Sequence, residues 1–101
     1  MAIIEQIISM EIQHKDNNKT GVFFIEENGE KLAELVYSWN GNDRIIIEHT
    51  EVNDVLRGKN IGKTLVATLV EFAREKGVKI VPVCLFAKNV LDKNKEYQDV
   101  L

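Results

Sequence analysis

Residues 45–77, IIIEHTEVNDVLRGKNIGKTLVATLVEFAREKG, change their hydrophobic period halfway along, and that change decides the fold. The stretch opens as a β-strand rich in branched apolar residues, Arg44–Val52 when its flanking arginine is included. From Ile61 the apolar residues fall at 61, 65, 66, 69, 70, 72 and 73, a broad helical stripe. Between the two lies Arg57-Gly58-Lys59-Asn60-Ile61-Gly62. A helix N-terminus offers unpaired backbone N–H groups and the positive end of the helix dipole, so a glycine-bearing turn there suits phosphate. Gly58 and Gly62 let the backbone curl closely around an anion, and Arg57, Lys59 and Lys63 place three cations within seven residues. The turn is therefore expected to bind the pyrophosphate of a nucleotide-containing cofactor. A solvated basic turn has the same spacing, so R-G-x-x-x-G alone leaves both readings open.

Outward from this stretch, Arg74 and Lys76 suit the C-terminal end of the helix dipole, and Gly77 is a natural residue to end it. VKIVPVC (78–84) returns to strand character, and strand–helix–strand implies parallel pairing of the fourth and fifth strands. LFAKNVLDKNKEYQDVL reads as a short helix to about Leu91 and then a polar, weakly ordered tail. On the N-terminal side, residues near 5–14 alternate with Ile8, Met10 and Ile12 on one face, and HKDNNK (14–19) is a polar turn cluster. TGVFFIEE (20–27) and KLAELVYSW (31–39) are strands joined by an Asn28-Gly29 type I′ turn. In the second of these, Leu32, Glu34, Val36 and Ser38 share one side, and Ala33, Leu35 and Tyr37 the other. Asn40-Gly41 makes the next tight turn. The expected fold is α/β: a mixed sheet built from an antiparallel four-strand meander, then a crossover helix and a parallel fifth strand, in a single domain spanning 1–101.

The composition narrows the function classes. With 101 residues, 45% hydrophobic and 29% charged, the chain can bury one core. A net charge of −3 argues against a general nucleic-acid binder, although a small anion site needs only local positive potential. The N-terminal MAIIEQIISMEIQ carries Glu5 and Glu11 and no basic region, so no signal peptide is expected, and no apolar run approaches the ~20 residues of a membrane span. The single cysteine, Cys84, fits a reducing compartment. A cytoplasmic protein without membrane association is expected.

Period-2 alternation places Ile45, Ile47, His49 and Glu51 on one face of the fourth strand, and Ile46, Glu48, Thr50 and Val52 on the other. His49 and Glu51 are then neighbours at the C-terminal end of the strand, where ligands of parallel α/β units sit. An imidazole beside a carboxylate is a candidate general base for an amine or a thiol, while a His and Glu bonded to nearby backbone would look the same. Pro82 removes a ladder donor from the fifth strand. Either that strand is an edge, or the fourth and fifth strands separate there and leave backbone groups for a ligand. Cys84, near the level of His49, is either a nucleophile assisted by it or an inert thiol. Tyr97 is either a proton donor to a leaving thiolate or an apolar anchor.

His49 to Leu65, read as H-T-E-V-x-x-x-x-R-G-K-x-I-G-K-x-L, resembles the acetyl-CoA-binding motif of the Gcn5-related N-acetyltransferase superfamily, and in particular its small single-domain group. Arg57 and Gly62 match the ends of the superfamily's Q/R-x-x-G-x-G/A motif, with Asn60 in place of the middle glycine; Asn is the next best residue at positive φ. The resemblance implies that Arg57, Gly58, Lys59, Asn60, Ile61, Gly62 and Lys63 hold the pyrophosphate of coenzyme A. It also implies that the pantetheine arm pairs with strand four around Val52, and that a backbone N–H near Val52 polarises the thioester carbonyl. Small-group members carry a His-Thr pair and a cysteine matching His49-Thr50 and Cys84. The expected function is acetyl-CoA-dependent N-acetyltransfer to an amine, a protein or peptide lysine or a small amine, with no metal. Either the amine attacks directly, with His49 or Glu51 taking a proton, or the acetyl group passes through Cys84; the alternative is a non-catalytic acyl-CoA-binding module. Larger members cover the acceptor with a helical segment between their first two strands and end in a further hairpin. Both are missing here, so an open acceptor site, or one completed by a partner, is implied. A monomer or weak homodimer is expected, because an unpaired fifth strand invites pairing.

Overall fold

The computed structural model describes residues 11–101. Its elements are β1 (Gln13–Asp16), β2 (Thr20–Glu27), β3 (Glu30–Asn40), β4 (Arg44–Val52), a single 3-10 turn (Asp54–Leu56), α1 (Ile61–Lys76), β5 (Lys79–Pro82), α2 (Leu85–Lys93) and a terminal 3-10 segment (Lys95–Val100). The five strands lie in the order β1-β2-β3-β4-β5, antiparallel up to β4 and parallel between β4 and β5. This is the mixed α/β sheet expected, with a meander, a crossover helix and a parallel fifth strand.

Turn chemistry sets the meander. Asn28 and Gly29 both take positive φ, 53° and 82°, as a type I′ hairpin requires. The β3–β4 connection is longer than the expected two-residue turn: Asn40 pairs with Arg44, so Gly41, Asn42 and Asp43 form a three-residue loop with Gly41 at φ 72°. HKDNNK is only half a turn. His14–Asp16 pair with Phe23–Gly21, and the chain reverses through Asn17–Lys19, where the Asn17 side chain accepts from Lys19 and Thr20 N–H. The part of the expected first strand up to residue 10 lies outside the described residues.

The core lies on one face of the sheet. Phe23, Ile25, Leu35, Tyr37, Ile45 and Ile47 meet the helical stripe Ile61, Leu65, Val66, Leu69, Val70 and Ala73, and α2 adds Ala87, Val90 and Leu91. Gly21 carries no side chain because Tyr37 lies across it; a Cβ there would stand 2.2 Å from the ring. α1 ends as expected, with Gly77 at φ 70° donating to the carbonyls of Ala73 and Arg74.

Two irregularities change which residues face the core. Leu32 is an extra residue between the pairs Ile25–Ala33 and Glu26–Lys31, and it joins the core instead of sharing the side of Glu34. On β4, Val36 pairs with His49 but Tyr37 with Ile47, so Glu48 is the extra residue of a bulge. Directly paired residues share a face, so the alternation resets there. Ile45 and Ile47 face the core, and after the bulge Thr50 and Val52 do, opposite Leu35 and Ala33. His49 and Glu51 stay neighbours, but on the open face opposite Ile45 and Ile47.

The tail also differs from expectation. Arg74, in the last turn of α1, pairs with Asp99 at 2.8 Å and donates to the Glu96 carbonyl, Lys79 Nζ reaches the Asp99 carbonyl at 2.6 Å, and Val100 is buried. Tyr97 packs partly buried against the core, the anchor reading of that residue. A polar composition hid one apolar residue and one ion pair, enough to dock the segment.

Candidate active site

β4 and β5 pair only from Arg44–Lys79 to Ile47–Pro82. Beyond that point Val83 and Cys84 both turn their N–H groups onto the Ile47 carbonyl, at 3.2 and 3.1 Å, and the chain enters α2. Among the described residues, 48–52 therefore have no strand partner on the β5 side. The bulge at Glu48 and the proline at the last position of β5 fall at the same level of the sheet. Pro82 lacks a donor just where the ladder stops, and β5 is also the sheet's edge among the described residues, so both explanations of the proline apply.

On the helical face the strand runs into a cavity of about 220 Å³, bounded by Val52, Leu56, Arg57, Gly58, Asn60, Ile61, Gly62, Lys63 and Phe86. Asn60 and Gly58 take the positive φ values, 58° and 85°, that curl the loop into the helix. Asn60 N-caps α1 in this left-handed conformation and makes no side-chain capping bond. The first-turn N–H groups of Ile61, Gly62 and Lys63 thus keep the donor capacity that an anion would use. Among the expected cations, Lys63 lines the cavity. Arg57 lines it too but pairs with Asp54 at 2.6 Å, and Lys59 is exposed outside it.

Phe86 was not marked by sequence. Its ring lies over Gly62, where a Cβ would stand 2.7 Å from Cζ, so Gly62 is small for the sake of an aromatic neighbour as well as for an open turn. Cys84 N-caps α2, and its Sγ lies 3.8 Å from Thr50 Oγ1. Partial burial pushes the Cys84 thiol up, but the backbone N–H of Ala87, the Thr50 hydroxyl and the N–H of Phe86 outweigh it, and the net direction is down.

The open face carries the second group. His49 Nε2 meets Glu34 Oε2 at 2.9 Å, and Lys31 Nζ reaches the other Glu34 oxygen side at 3.2 Å. The His49 hydrogen bond, assisted by Lys31 and opposed by partial burial, holds the Glu34 carboxyl below its ordinary range. Glu51 stands directly across from Glu34, and the two carboxylates and the imidazole bring one ligand atom each within 4.8 Å. A divalent cation could share such a set, although the His49–Glu34 hydrogen bond already engages two of the three. A cleft of about 430 Å³ runs from Lys31 to Asp54 past Glu34 and Glu51. His49 and Cys84 are not partners: the bulge puts the imidazole on the open face, and Cys84 meets Thr50 on the core side. Among the described residues, no helix is long and apolar enough to cross a membrane.

The chain is similar to known proteins in sequence and in fold. Residues 22–100 match the family model described as GCN5-related N-acetyl-transferase. The solved structure of a GCN5-like protein from Staphylococcus aureus is 41% identical, covers 91% of this chain and 87% of its own, and superposes with a TM-score of 0.73. A ribosomal-protein-alanine N-acetyltransferase from Brucella melitensis biovar Abortus 2308 shares the fold, with a TM-score of 0.62 at 17% identity over 76% of this chain and 62% of its own. Protein NATD1 from Gallus gallus is 27% identical over 95 residues, 93% of this chain and 84% of the relative.

Proposed function

The chain belongs to the GCN5-related N-acetyltransferase family, and from that premise we propose that it transfers an acetyl group from acetyl-CoA to a primary amine. The observation that carries the proposal is the end of the β4–β5 ladder at Ile47–Pro82, which leaves the rest of β4 without β5 as it runs on to Val52, in the wall of a cavity that the first turn of α1 also lines. The turn from Gly58 to Lys63 holds the pyrophosphate, with Lys63 as the side-chain cation. The unpaired edge of β4 around Val52 hydrogen-bonds the pantetheine arm and turns an N–H towards the thioester oxygen. The acceptor enters from the open face, where His49 and Glu51 stand.

The amine nitrogen attacks the thioester carbon, and its proton passes to His49, directly or through water. The carbon–sulfur bond then breaks, and coenzyme A leaves as a thiolate that takes a proton from solvent. Glu51 stabilises the resulting imidazolium. Routing the acetyl group through Cys84 is the second reading, supported by the lowered thiol, but His49 is badly placed to serve it. An open acceptor face suits a lysine side chain on a protein or peptide as well as a small amine.

The test is calorimetric titration with coenzyme A, followed by mass spectrometry after incubation with acetyl-CoA and a panel of amines and lysine peptides. Binding with transfer supports the proposal. Binding with no transfer to any acceptor and no self-acetylation makes the chain an acyl-CoA-binding module, and no binding defeats the proposed cofactor site.

A further inference from the structure

The Glu34 carboxylate is the hydrogen-bond partner of the His49 imidazole among the described residues, and two features of the sheet fix its place. The three-residue β3–β4 loop and the bulge at Glu48 together bring Glu34 opposite Glu51 and one diagonal step from His49. Two carboxylates facing each other across a strand pair repel. His49 at 2.9 Å and Lys31 at 3.2 Å offset that repulsion at Glu34. Glu34 is mostly covered, with 19% of its side chain exposed against 52% for His49, so the carboxylate is the better held of the two. Its contact is with Nε2, and Nδ1 of His49 has no hydrogen-bond partner among the described residues.

We infer that Glu34 is a positioning residue: its carboxylate accepts from Nε2–H of His49, fixes that tautomer, and leaves the Nδ1 lone pair as the atom that receives the acceptor's proton. The inference rests on the acetyltransferase reading above and adds to it the identity of the basic nitrogen and of the group that selects it. An ionised carboxylate can only accept a hydrogen bond, so a neutral imidazole bonded to it through Nε2 must carry its proton there. When the amine attacks the thioester, one N–H bond of the amine breaks and one Nδ1–H bond forms. The imidazolium then lies near both the Glu34 and the Glu51 carboxylates, and it returns the proton to water after the product leaves. Without Glu34 the ring is free to turn and to populate the other tautomer, so only part of the enzyme would hold the base correctly at any moment.

The ring nitrogens can be read directly. In uniformly 15N-labelled protein, long-range proton–nitrogen correlation distinguishes Nε2–H from Nδ1–H at His49, and the measurement needs no activity. The wild-type chain is expected to show Nε2–H, and Glu34→Gln a mixture of tautomers with an otherwise native spectrum. In kinetics, Glu34→Gln should lower kcat about 10- to 100-fold with KM for acetyl-CoA unchanged, by analogy with groups that orient a working imidazole. His49→Gln should lower it further, and the double variant should be no slower than His49→Gln alone, because the two act as a unit. Glu34→Asp, which keeps the charge on a shorter arm, covers the case in which Glu34→Gln misfolds, and it should retain part of the activity. Nδ1–H at His49, a tautomer indifferent to Glu34, or additive losses in the double variant would overturn the inference while leaving acetyl transfer intact. Failure of the wild-type chain to transfer acetyl removes the function, and the positioning role with it, even if Nε2–H is found.

Discussion

His49 and Thr50 are adjacent in sequence and face opposite sides of the sheet, His49 towards Glu34 at 2.9 Å and Thr50 towards the Cys84 thiol at 3.8 Å. On the proposed function the division separates two tasks: the helical face would receive the thioester and the open face the amine. His49→Gln should therefore lower kcat by about 10²–10⁴-fold, the usual contribution of a general base, while calorimetric affinity for coenzyme A stays at the wild-type value. Loss of coenzyme A binding in His49→Gln would mean that the imidazole belongs to the cofactor's side.

Gly62 is crowded from outside its own helix. A methyl group there would lie 2.7 and 2.9 Å from two atoms of the Phe86 ring, whose side chain is 41% exposed and has room to swing away. Gly62→Ala should weaken coenzyme A binding, and Phe86→Ala added to it should restore part of the affinity by giving the methyl space. Equal weakening with and without Phe86 would show that the methyl meets the ligand itself. A double-mutant cycle read by calorimetry separates the two.

The chain's own pattern told most of the fold and the backbone conformation of the turn that lines the candidate cavity. Asn28-Gly29, Gly77 and the stripe from Ile61 to Ala73 each state a local conformation that nothing distant overrides. Asn60 could be read for its positive φ for the same reason. Glu34 could not be found. A two-residue turn at Asn40-Gly41 would have set it across from Ile47, and only the longer loop and the bulge at Glu48 bring it to Glu51. Bulges leave no single-residue signature, and a shift of one position reverses the face of everything after it. The same shift separated His49 from Cys84, a pairing that simple alternation favours. Phe86 reads as one more apolar residue in a short helix, because its meaning depends on Gly62, twenty-four positions earlier.

His14, Tyr37 and Asp16 form a chain of hydrogen bonds over the aromatic group of Phe23, Trp39 and Phe72. The Tyr37 hydroxyl donates to Asp16 at 2.5 Å, so His14 Nε2 must donate to Tyr37 at 2.7 Å. Burial pushes the His14 imidazole down, beyond what Asp16 restores, and Lys76 adds to the fall. The unfolded chain then takes up a proton near the ordinary value of 6.5 while the folded one resists it, so stability should decline as pH drops through that value. At Asp16, burial pushes the carboxyl up, but the bonds from Tyr37, Asn18 and Trp39 hold it below its ordinary 3.8. Its contribution is complete above about pH 4 and is lost as pH falls through the folded value. Urea midpoints should step down between pH 7.5 and 5.5 and again below pH 4, and His14→Gln should flatten the first step while changing the second only slightly, because the His14 charge is the smallest of the causes that hold Asp16 down.

The terminal segment should matter to stability despite its composition. Val100 is 2% exposed and sits in the core beside residues of α2 and β5, and Arg74 clamps the segment through Asp99. Val100→Ala should cost roughly 1–3 kcal/mol, as expected for a truncated core side chain. Arg74→Met keeps the aliphatic stem but removes the solvent-screened pair with Asp99, and should lower the denaturation midpoint less than Val100→Ala does. Denaturant titration that finds Val100→Ala neutral would return the segment to a loose tail.

Cys84 decides between the two routes of transfer. Its thiol sits at the N-terminus of α2 and is pushed below its ordinary value on balance, which favours a nucleophile. Against that, its only side-chain hydrogen-bond partner among the described residues is the Thr50 hydroxyl, and His49, the proposed general base, is on the other face of β4. A covalent route would need a base to activate the thiol and then a second one to deprotonate the amine, whereas direct attack needs only His49. Cys84→Ala should therefore leave kcat little changed, and initial-rate plots with both substrates varied should intersect. Parallel lines, together with an acetyl group found on Cys84 after acetyl-CoA alone and an inactive Cys84→Ala, would establish the covalent route instead.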